Sequence, residues 1–292
     1  SGQGVDGGTG NFLNLPIKLG WLLGVLRDRW EGLDRLSAAI LWFVVLAGLV
    51  ERKVGMVRAG AAAALATFVA FLALPHVLFG SAYADMRLVA PGLALAIVAL
   101  RAPRDRRWAQ GIALAALAFF LVRTVATTVS FLDYDRGYRA QLAAVDNIPR
   151  GARVAVFVGT SCQRDWRSAR MEHLGGLATV RKDAFVNSLW SLGGAQLLTV
   201  HYPAAGAFQR DPSQIVRPSV CHQLGEPERD GLIPRFPAAA FDYLWLINLP
   251  GADRLSRPGL AKVWARPDGA LYRISRAAPP RPDAPPSASA SR

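Results

Sequence analysis

The chain of 292 residues has little of what most soluble enzymes use for catalysis. It contains two cysteines and four histidines, and Gly175-Gly176 and Gly193-Gly194 are isolated pairs without the spacing of a phosphate-binding or dinucleotide-binding loop. Gly159-Thr160-Ser161-Cys162 lacks the Gly-x-Ser-x-Gly elbow of serine hydrolases and is predicted to be an ordinary loop. These absences argue against nucleotide-binding and serine-hydrolase chemistry, and we expect no cofactor.

Acidic residues are also scarce, with 21 Asp and Glu against 34 Lys and Arg and a formal net charge of +13. In a soluble protein this excess of basic residues would suggest binding to nucleic acid. The basic residues lie in short loops beside apolar runs, however, and form no Lys/Arg stripe interleaved with aromatic residues. We therefore expect no nucleic-acid partner.

The first ten residues carry five glycines and no apolar segment of the kind that a signal peptide contains. We interpret residues 1–14 as a flexible lead and Ser1 as a processed or truncated end. Residues 277–292 are rich in Pro, Ala and Ser and are predicted to be disordered.

The hydrophobic content of 52% and the mean hydropathy of +0.22 are high for a soluble protein and low for a protein that is entirely embedded in a membrane. Apolar runs are concentrated before residue 133. The composition therefore predicts a transmembrane helical region over residues 15–132 and an α/β domain over residues 133–276.

Four apolar runs are candidate spans, namely Leu36 to Val50, Ala59 to Phe79, Leu88 to Leu100 and Trp108 to Val122. The second is the strongest candidate, because 21 charge-free residues cover a hydrocarbon core of about 30 Å. The third is too short to span alone. The short runs fit either a membrane bundle whose polar ends are covered by protein or buried helices of a soluble domain. The many Ala and Gly residues in these runs favour the bundle, because small residues let membrane helices approach closely.

The run from Leu15 to Trp30 has a broad apolar face flanked by Trp21 and Trp30. Aromatic residues at such positions are typical of a helix at the membrane interface. The alternative is a first membrane span cut short by its glycines.

The loops predict the orientation. Residues 51–58 carry three basic and one acidic residue, residues 101–107 carry four and one, and residues 80–87 carry one of each. The positive-inside rule therefore puts the first two loops in the cytoplasm and the turn from Pro75 to Pro91 outside. Residues from Asp133 onward are then expected in the periplasm of a bacterium, beyond its inner membrane.

After Asp133 the pattern indicates a compact α/β unit. We predict a helix from Tyr138 to Ile148, buried strands from Ala152 to Gly159 and from Phe241 to Leu249, and a hairpin around Arg266-Pro267-Asp268-Gly269 that joins Ala261–Ala265 to Ala270–Ile274. The fold class expected is a membrane α-helical bundle of about four spans plus an interfacial helix, followed by a small extracytoplasmic α/β domain.

Both cysteines, Cys162 and Cys221, fall in the part expected outside the cytoplasm. An even count in an oxidising compartment favours one disulfide. The alternatives are two unpaired thiols or a metal site formed with His173 and His222. The spacing matches no usual zinc motif, so we expect no metal.

Four polar residues are expected near the outer membrane surface. His76, Asp85 and Arg87 lie in the Pro75 to Pro91 turn, and Arg123 lies toward the outer end of the fourth span. Arginines there suit a lipid-linked phosphate, and a carboxylate could act as a base or orient a sugar hydroxyl. The alternative is that the arginines only reach from helix ends to the membrane surface.

Several short motifs together suggest a family. They are Leu33-Asp34-Arg35-Leu36, the turn Phe79-Gly80-Ser81-Ala82-Tyr83-Ala84-Asp85-Met86-Arg87-Leu88, Arg181-Lys182-Asp183-Ala184-Phe185-Val186-Asn187 and Ala270-Leu271-Tyr272-Arg273-Ile274. With the basic inner loops, they resemble the C-terminal half of bacterial multi-span relatives of the GT-C glycosyltransferases, which use polyprenyl-phosphate-linked sugars.

The resemblance implies transfer of a sugar from a polyprenyl-phosphate carrier to an acceptor in the cell envelope, with Arg87 or Arg123 on the lipid phosphate. The acidic residues that mark the first outer loop of that class have no counterpart here. Asp133-Tyr134-Asp135 has the spacing of those acidic residues but lies in a different part of the chain. The chain would then be a fragment without the catalytic loop, and no catalytic residue is predicted. The alternative is a non-enzymatic envelope protein whose α/β domain binds a partner or ligand outside the cytoplasm.

Overall fold

The computed structural model describes residues 9–10, 14–50, 55–78, 81–162, 165–167, 170–191, 197–217, 221 and 232–275. The chain forms two compact units. The first comprises Ser1–Gly137, Gln163–Arg170 and Ser191–Thr199, and the second comprises Tyr138–Cys162, Met171–Trp190 and Val200–Arg292. The predicted boundary at residue 133 is thus a few residues early, and two segments of the predicted α/β domain belong to the first unit. The predicted disordered tail and most of the predicted flexible lead lie outside the described residues.

The described residues of the first unit form five α-helices. They are α1 (Leu15–Leu23), α2 (Glu31–Val50), α3 (Arg58–Ala73), α4 (Val89–Val98) and α5 (Arg106–Leu142), the last of which ends in the second unit. The start of α1 follows from its sequence, because the Asn14 side chain accepts a hydrogen bond from the Ile17 amide and Pro16 occupies the first turn, where no amide donor is needed.

Two of these helices are long and apolar enough to cross a membrane. They are α2, with 20 residues, and the helix from Arg106 to Asn147, which includes a final 3-10 segment. The helix α3 has 16 residues, about 24 Å at ~1.5 Å per residue, and the helix Met86–Val98 is shorter still. A hydrocarbon core is about 30 Å thick. Helix length therefore does not support the predicted four spans.

The prediction was wrong where it was strongest, in the run from Ala59 to Phe79. The helix α3 ends at Ala73, and Leu74 has the extended backbone angles φ −70° and ψ 137°. The physical reason is Pro75, whose ring disfavours a helical conformation of the preceding residue. The apolar run continues as a short strand β1 (Val77–Leu78), which pairs antiparallel with β2 (Ser81–Ala82).

Small residues let α3 and α4 pack closely as an antiparallel hairpin. A Cβ atom on Gly60 would lie 2.8 Å from the Cβ of Ala99, and one on Gly92 would lie 3.2 Å from the Thr67 methyl group. The two outer ends of the hairpin are joined, because the Val57 amide donates to the Ala99 carbonyl at 2.8 Å. The loops that precede α3 and follow α4 therefore lie at the same end of the first unit.

A mixed sheet forms the second unit. Its strands are β3 (Arg153–Gly159), β4 (Phe185–Val186), β5 (Ile215–Val216), β6 (Tyr243–Ile247), β7 (Leu260–Arg266) and β8 (Gly269–Ile274), with helices α6 (Gly176–Lys182) and α7 (Leu232–Arg235). The order is β4-β3-β6-β8-β7, and β5 also pairs with β3. The strands β4, β5 and β6 run parallel to β3, whereas β8 is antiparallel to both β6 and β7.

The central strand β3 is apolar on both sides because both faces of the sheet are covered. Val154, Val156 and Val158 belong to one core cluster, and Ala155 and Phe157 belong to the other. The predicted hairpin is present, with a bulge between Lys262 and Trp264. The described part of the chain thus has seven α-helices, two of them of membrane-crossing length, and a mixed α/β domain.

Cys162 and Cys221 form a disulfide within the second unit, with an S–S distance of 2.04 Å. The bond joins residues 59 positions apart, a loop whose closure stabilises the fold by about 4 kcal/mol in the chain-entropy model. Of the residues named for the alternative metal site, His222 lies outside the described residues.

Candidate functional site

The polar turn predicted around Pro75 to Pro91 places three of the four candidate residues near one another. His76 directly precedes β1, and Asp85 caps a 3-10 helix (Met86–Leu88) by accepting a hydrogen bond from the Met86 amide at 2.9 Å. Arg87 lies exposed on that 3-10 helix. The turn is thus an ordered element that holds His76 and Asp85 in contact.

A buried ion pair lies at the centre of this cluster. The Lys18 Nζ atom lies 3.1 Å from Asp85 Oδ2, and the side chains are only 2% and 1% exposed. Lys18 also donates to the carbonyl oxygens of Phe71, at 2.7 Å, and Leu74, at 2.9 Å. All three donors of the ammonium group therefore have acceptors, and the last turn of α3 is linked to α1.

His76 binds the other oxygen of the same carboxylate, with 3.0 Å between His76 Nδ1 and Asp85 Oδ1. Burial by itself raises the pKa of the Asp85 carboxyl group, but the hydrogen bonds from His76, Lys18 and the Met86 amide and the charge of Lys18 outweigh it and lower that pKa overall. Asp85 is therefore an ionised acceptor at neutral pH.

Two aromatic rings pack against the His76 imidazole. Trp21 stacks on it with ring centroids 5.9 Å apart, and Tyr83 packs edge-on at 5.0 Å. Tyr83 has a φ of 67°, a left-handed conformation that bulky residues rarely adopt. The Lys18–Asp85–His76 cluster, together with Trp21 and Tyr83, thus forms an ordered polar site at the end of α3.

An apolar groove of about 440 Å³ adjoins this cluster. The two share Phe71, which lines the groove and whose carbonyl oxygen accepts a hydrogen bond from Lys18. The groove is lined by residues of α1 to α4, among them Leu22, Trp42, Leu49, Ala61, Leu65 and Ala96. A long hydrocarbon chain is the kind of ligand that such a lining accommodates.

The fourth candidate, Arg123, belongs to a second cluster. Its guanidinium group donates to Asp34 Oδ1 at 2.7 Å and to the Leu26 carbonyl oxygen at 3.0 Å. Asp34 Oδ2 accepts from Trp166 Nε1 at 2.9 Å and from the Asp28 amide at 2.8 Å. Asp34 is fully buried, and this network joins α2, α5 and the segment around Trp166. Among the described residues, no hydrogen bond or ion pair joins Arg123 to His76, Asp85 or Arg87.

Sequence reasoning missed Lys18, Asp28 and Trp166. A lysine within an otherwise apolar helix is a recognisable signal, because such a charge needs a partner. The Trp166 contact has no comparable signal, since 132 residues separate it from Asp34 in the chain. Comparisons of the chain with family models, with curated proteins and with solved structures found no match.

Proposed function

We propose that the protein is a membrane protein related to GT-C glycosyltransferases, in which the first unit binds a polyprenyl-phosphate-linked sugar for transfer to an envelope acceptor. The observation that carries this proposal is the apolar groove next to the Lys18–Asp85–His76 cluster. A lipid carrier needs both features side by side, because its chain is apolar and its head group is polar. The groove volume lies within the range of small-molecule pockets, about 300–1,000 Å³.

The exposed apolar surface of α5 supports a membrane location. No residue in the 18-residue apolar stretch of this helix is buried. Leu114, Phe120 and Val125 are each more than 60% exposed. A buried core helix would cover such side chains, and in water they would form a large apolar patch. A lipid bilayer covers them without a protein partner.

The α3–α4 hairpin supports the proposed orientation, and this support does not require four membrane spans. Because its two ends are joined through Val57 and Ala99, residues 55–58 and 101–107 lie on one side, whether or not the hairpin crosses the bilayer. If that side is the cytoplasm, as the positive-inside rule favours, α5 leads outward. Residues beyond α5 are then in the periplasm, an oxidising compartment in which a disulfide persists.

Filling the groove with a larger side chain should weaken lipid binding. Ala61 lines the groove, whereas the neighbouring Ala62 is exposed and does not line it. We expect Ala61→Trp to weaken binding of polyprenyl phosphate at least about tenfold, a loss of about 1.4 kcal/mol, and Ala62→Trp to leave it within about twofold. Native mass spectrometry of the protein in nanodiscs with added polyprenyl phosphate measures this. Equal binding by both variants, with unchanged thermal unfolding, contradicts the proposal.

The head group can be tested separately through Arg87. We expect Arg87→Ala to weaken polyprenyl phosphate binding about threefold to tenfold and to leave binding of the uncharged polyprenol unchanged, because the arginine would contact only the phosphate. Arg101→Ala is the matched control, since Arg101 is also exposed but follows α4 at the other end of the hairpin. Similar losses for phosphate and alcohol would exclude Arg87 as the phosphate ligand.

A further inference from the structure

We propose that His76 is the catalytic proton acceptor of this site, and that Asp85 and Lys18 are positioning residues that act through it. The inference rests on the proposed function, because it assumes that a lipid-linked sugar is the donor. It supplies the base that sequence reasoning could not assign.

The hydrogen bonds of Asp85 determine which nitrogen of His76 carries the proton. Asp85 Oδ2 accepts from Lys18, and Oδ1 faces both the Met86 amide and His76 Nδ1. An ionised carboxylate can only accept hydrogen bonds, so Nδ1 must be the protonated nitrogen. In the neutral ring the lone pair is then on Nε2, at the opposite edge of the imidazole.

The surroundings keep this arrangement rigid and still reachable. Trp21 and Tyr83 pack on the ring, and Lys18 holds the carboxylate from the buried side. The His76 side chain is 14% exposed, whereas Lys18 and Asp85 are almost fully buried. The imidazole is therefore the member of the cluster that a ligand can touch.

Three carboxylates of the first unit are already engaged by other protein groups. Asp85 and Asp34 each accept three hydrogen bonds from protein groups. Asp133 lies 2.5 Å from Arg29. Each of these carboxylates would have to give up such a contact to take a proton. His76 differs, because its contact with Asp85 engages Nδ1 and not Nε2.

The proposed step is a displacement at the anomeric carbon of the donor. The acceptor hydroxyl oxygen forms the new bond to this carbon, while the bond from the carbon to the phosphate oxygen breaks and its electron pair leaves with polyprenyl phosphate. The hydroxyl proton passes to His76 Nε2. The imidazolium ion that forms is stabilised by Asp85, whose negative charge is already in contact with Nδ1–H.

The test uses His76→Asn, because asparagine keeps an N–H donor toward Asp85 and has no basic nitrogen. With a sugar-labelled polyprenyl-phosphate hexose in nanodiscs and water as the acceptor, we expect sugar release to fall about 10²- to 10⁴-fold while polyprenyl phosphate binding is retained. His173→Asn is the control, since His173 is 57% exposed and lies 3.9 Å from Asp211. Its rate should match that of the unchanged protein.

A second measurement does not depend on turnover. Nitrogen-15 NMR of histidine-labelled protein, with the His76 signals identified by their loss in His76→Asn, should show Nδ1 protonated and Nε2 unprotonated. A protonated Nε2 in the neutral ring, or an unchanged rate of sugar release in His76→Asn, overturns the role of His76. If the unchanged protein does not bind polyprenyl phosphate, the proposed function is overturned instead, and with it the assignment of the step.

Discussion

Replacing Lys18 with methionine is expected to destabilise the first unit by about 3–5 kcal/mol. The change leaves Asp85, which is 1% exposed, without its cation and leaves the Phe71 and Leu74 carbonyl oxygens without a donor. A buried charge that loses its partner costs more than an ordinary hydrogen bond, because the remaining ion stays out of water. Thermal and denaturant unfolding in detergent measure the loss.

The double variant Lys18→Met with Asp85→Leu separates the two contributions to that loss. If the cost comes from the uncompensated carboxylate, removing Asp85 as well should recover part of the stability. Glu31→Gln is the control, because the Glu31 and Arg35 side chains are both more than half exposed and such a pair contributes about 0.3–0.5 kcal/mol. A loss as small as that of the control would show that the Lys18–Asp85 pair contributes little to stability.

Replacing Asp34 with alanine should destabilise the first unit by a similar amount, about 3–5 kcal/mol. Asp34 is fully buried and accepts hydrogen bonds from Arg123, Trp166 and the Asp28 amide. Its loss leaves the Arg123 guanidinium, which is 14% exposed, without its carboxylate partner. The indole fluorescence of Trp166 should also change, although the other seven tryptophans must be replaced or subtracted to observe it.

Glu31→Ala on the same helix is the matched control for Asp34→Ala. Glu31 is half-exposed and pairs with Arg35 one turn away, so its loss should cost less than about 0.5 kcal/mol. Adding Arg123→Met to Asp34→Ala should restore stability in part. A measured loss below about 1 kcal/mol for Asp34→Ala would mean that water or lipid head groups replace the lost partners.

The candidate site was predictable in part. His76, Asp85 and Arg87 stand out in the sequence because they lie between two apolar runs, and His76 and Asp85 do lie in contact. Arg123 was assigned to the same surface by its position in an apolar run, but it forms an ion pair with Asp34 instead. The sequence shows that a charge is present at a given depth along a helix. It does not show which opposite charge on another helix faces it.

The fold was predictable to a similar extent, and for local reasons. The hairpin of β7 and β8 follows from the turn Arg266-Pro267-Asp268-Gly269, and β3 follows from a continuous apolar run. The span predicted from Ala59 to Phe79 is too long, because the prediction follows the apolar composition of this run and neglects the effect of Pro75 on the backbone. Backbone chemistry at a single residue ended a helix that composition alone would continue.

The division into an apolar helical part and an α/β part, the apolar strands and the polar turn around His76 and Asp85 all follow from local sequence. These features depend on composition and on neighbours within a few residues. The contacts of Lys18 with Asp85 and of Trp166 with Asp34 become visible in the three-dimensional fold, because they bridge 67 and 132 residues of chain. The packing of α1 against α3 makes the polar turn a candidate proton-accepting site beside an apolar groove.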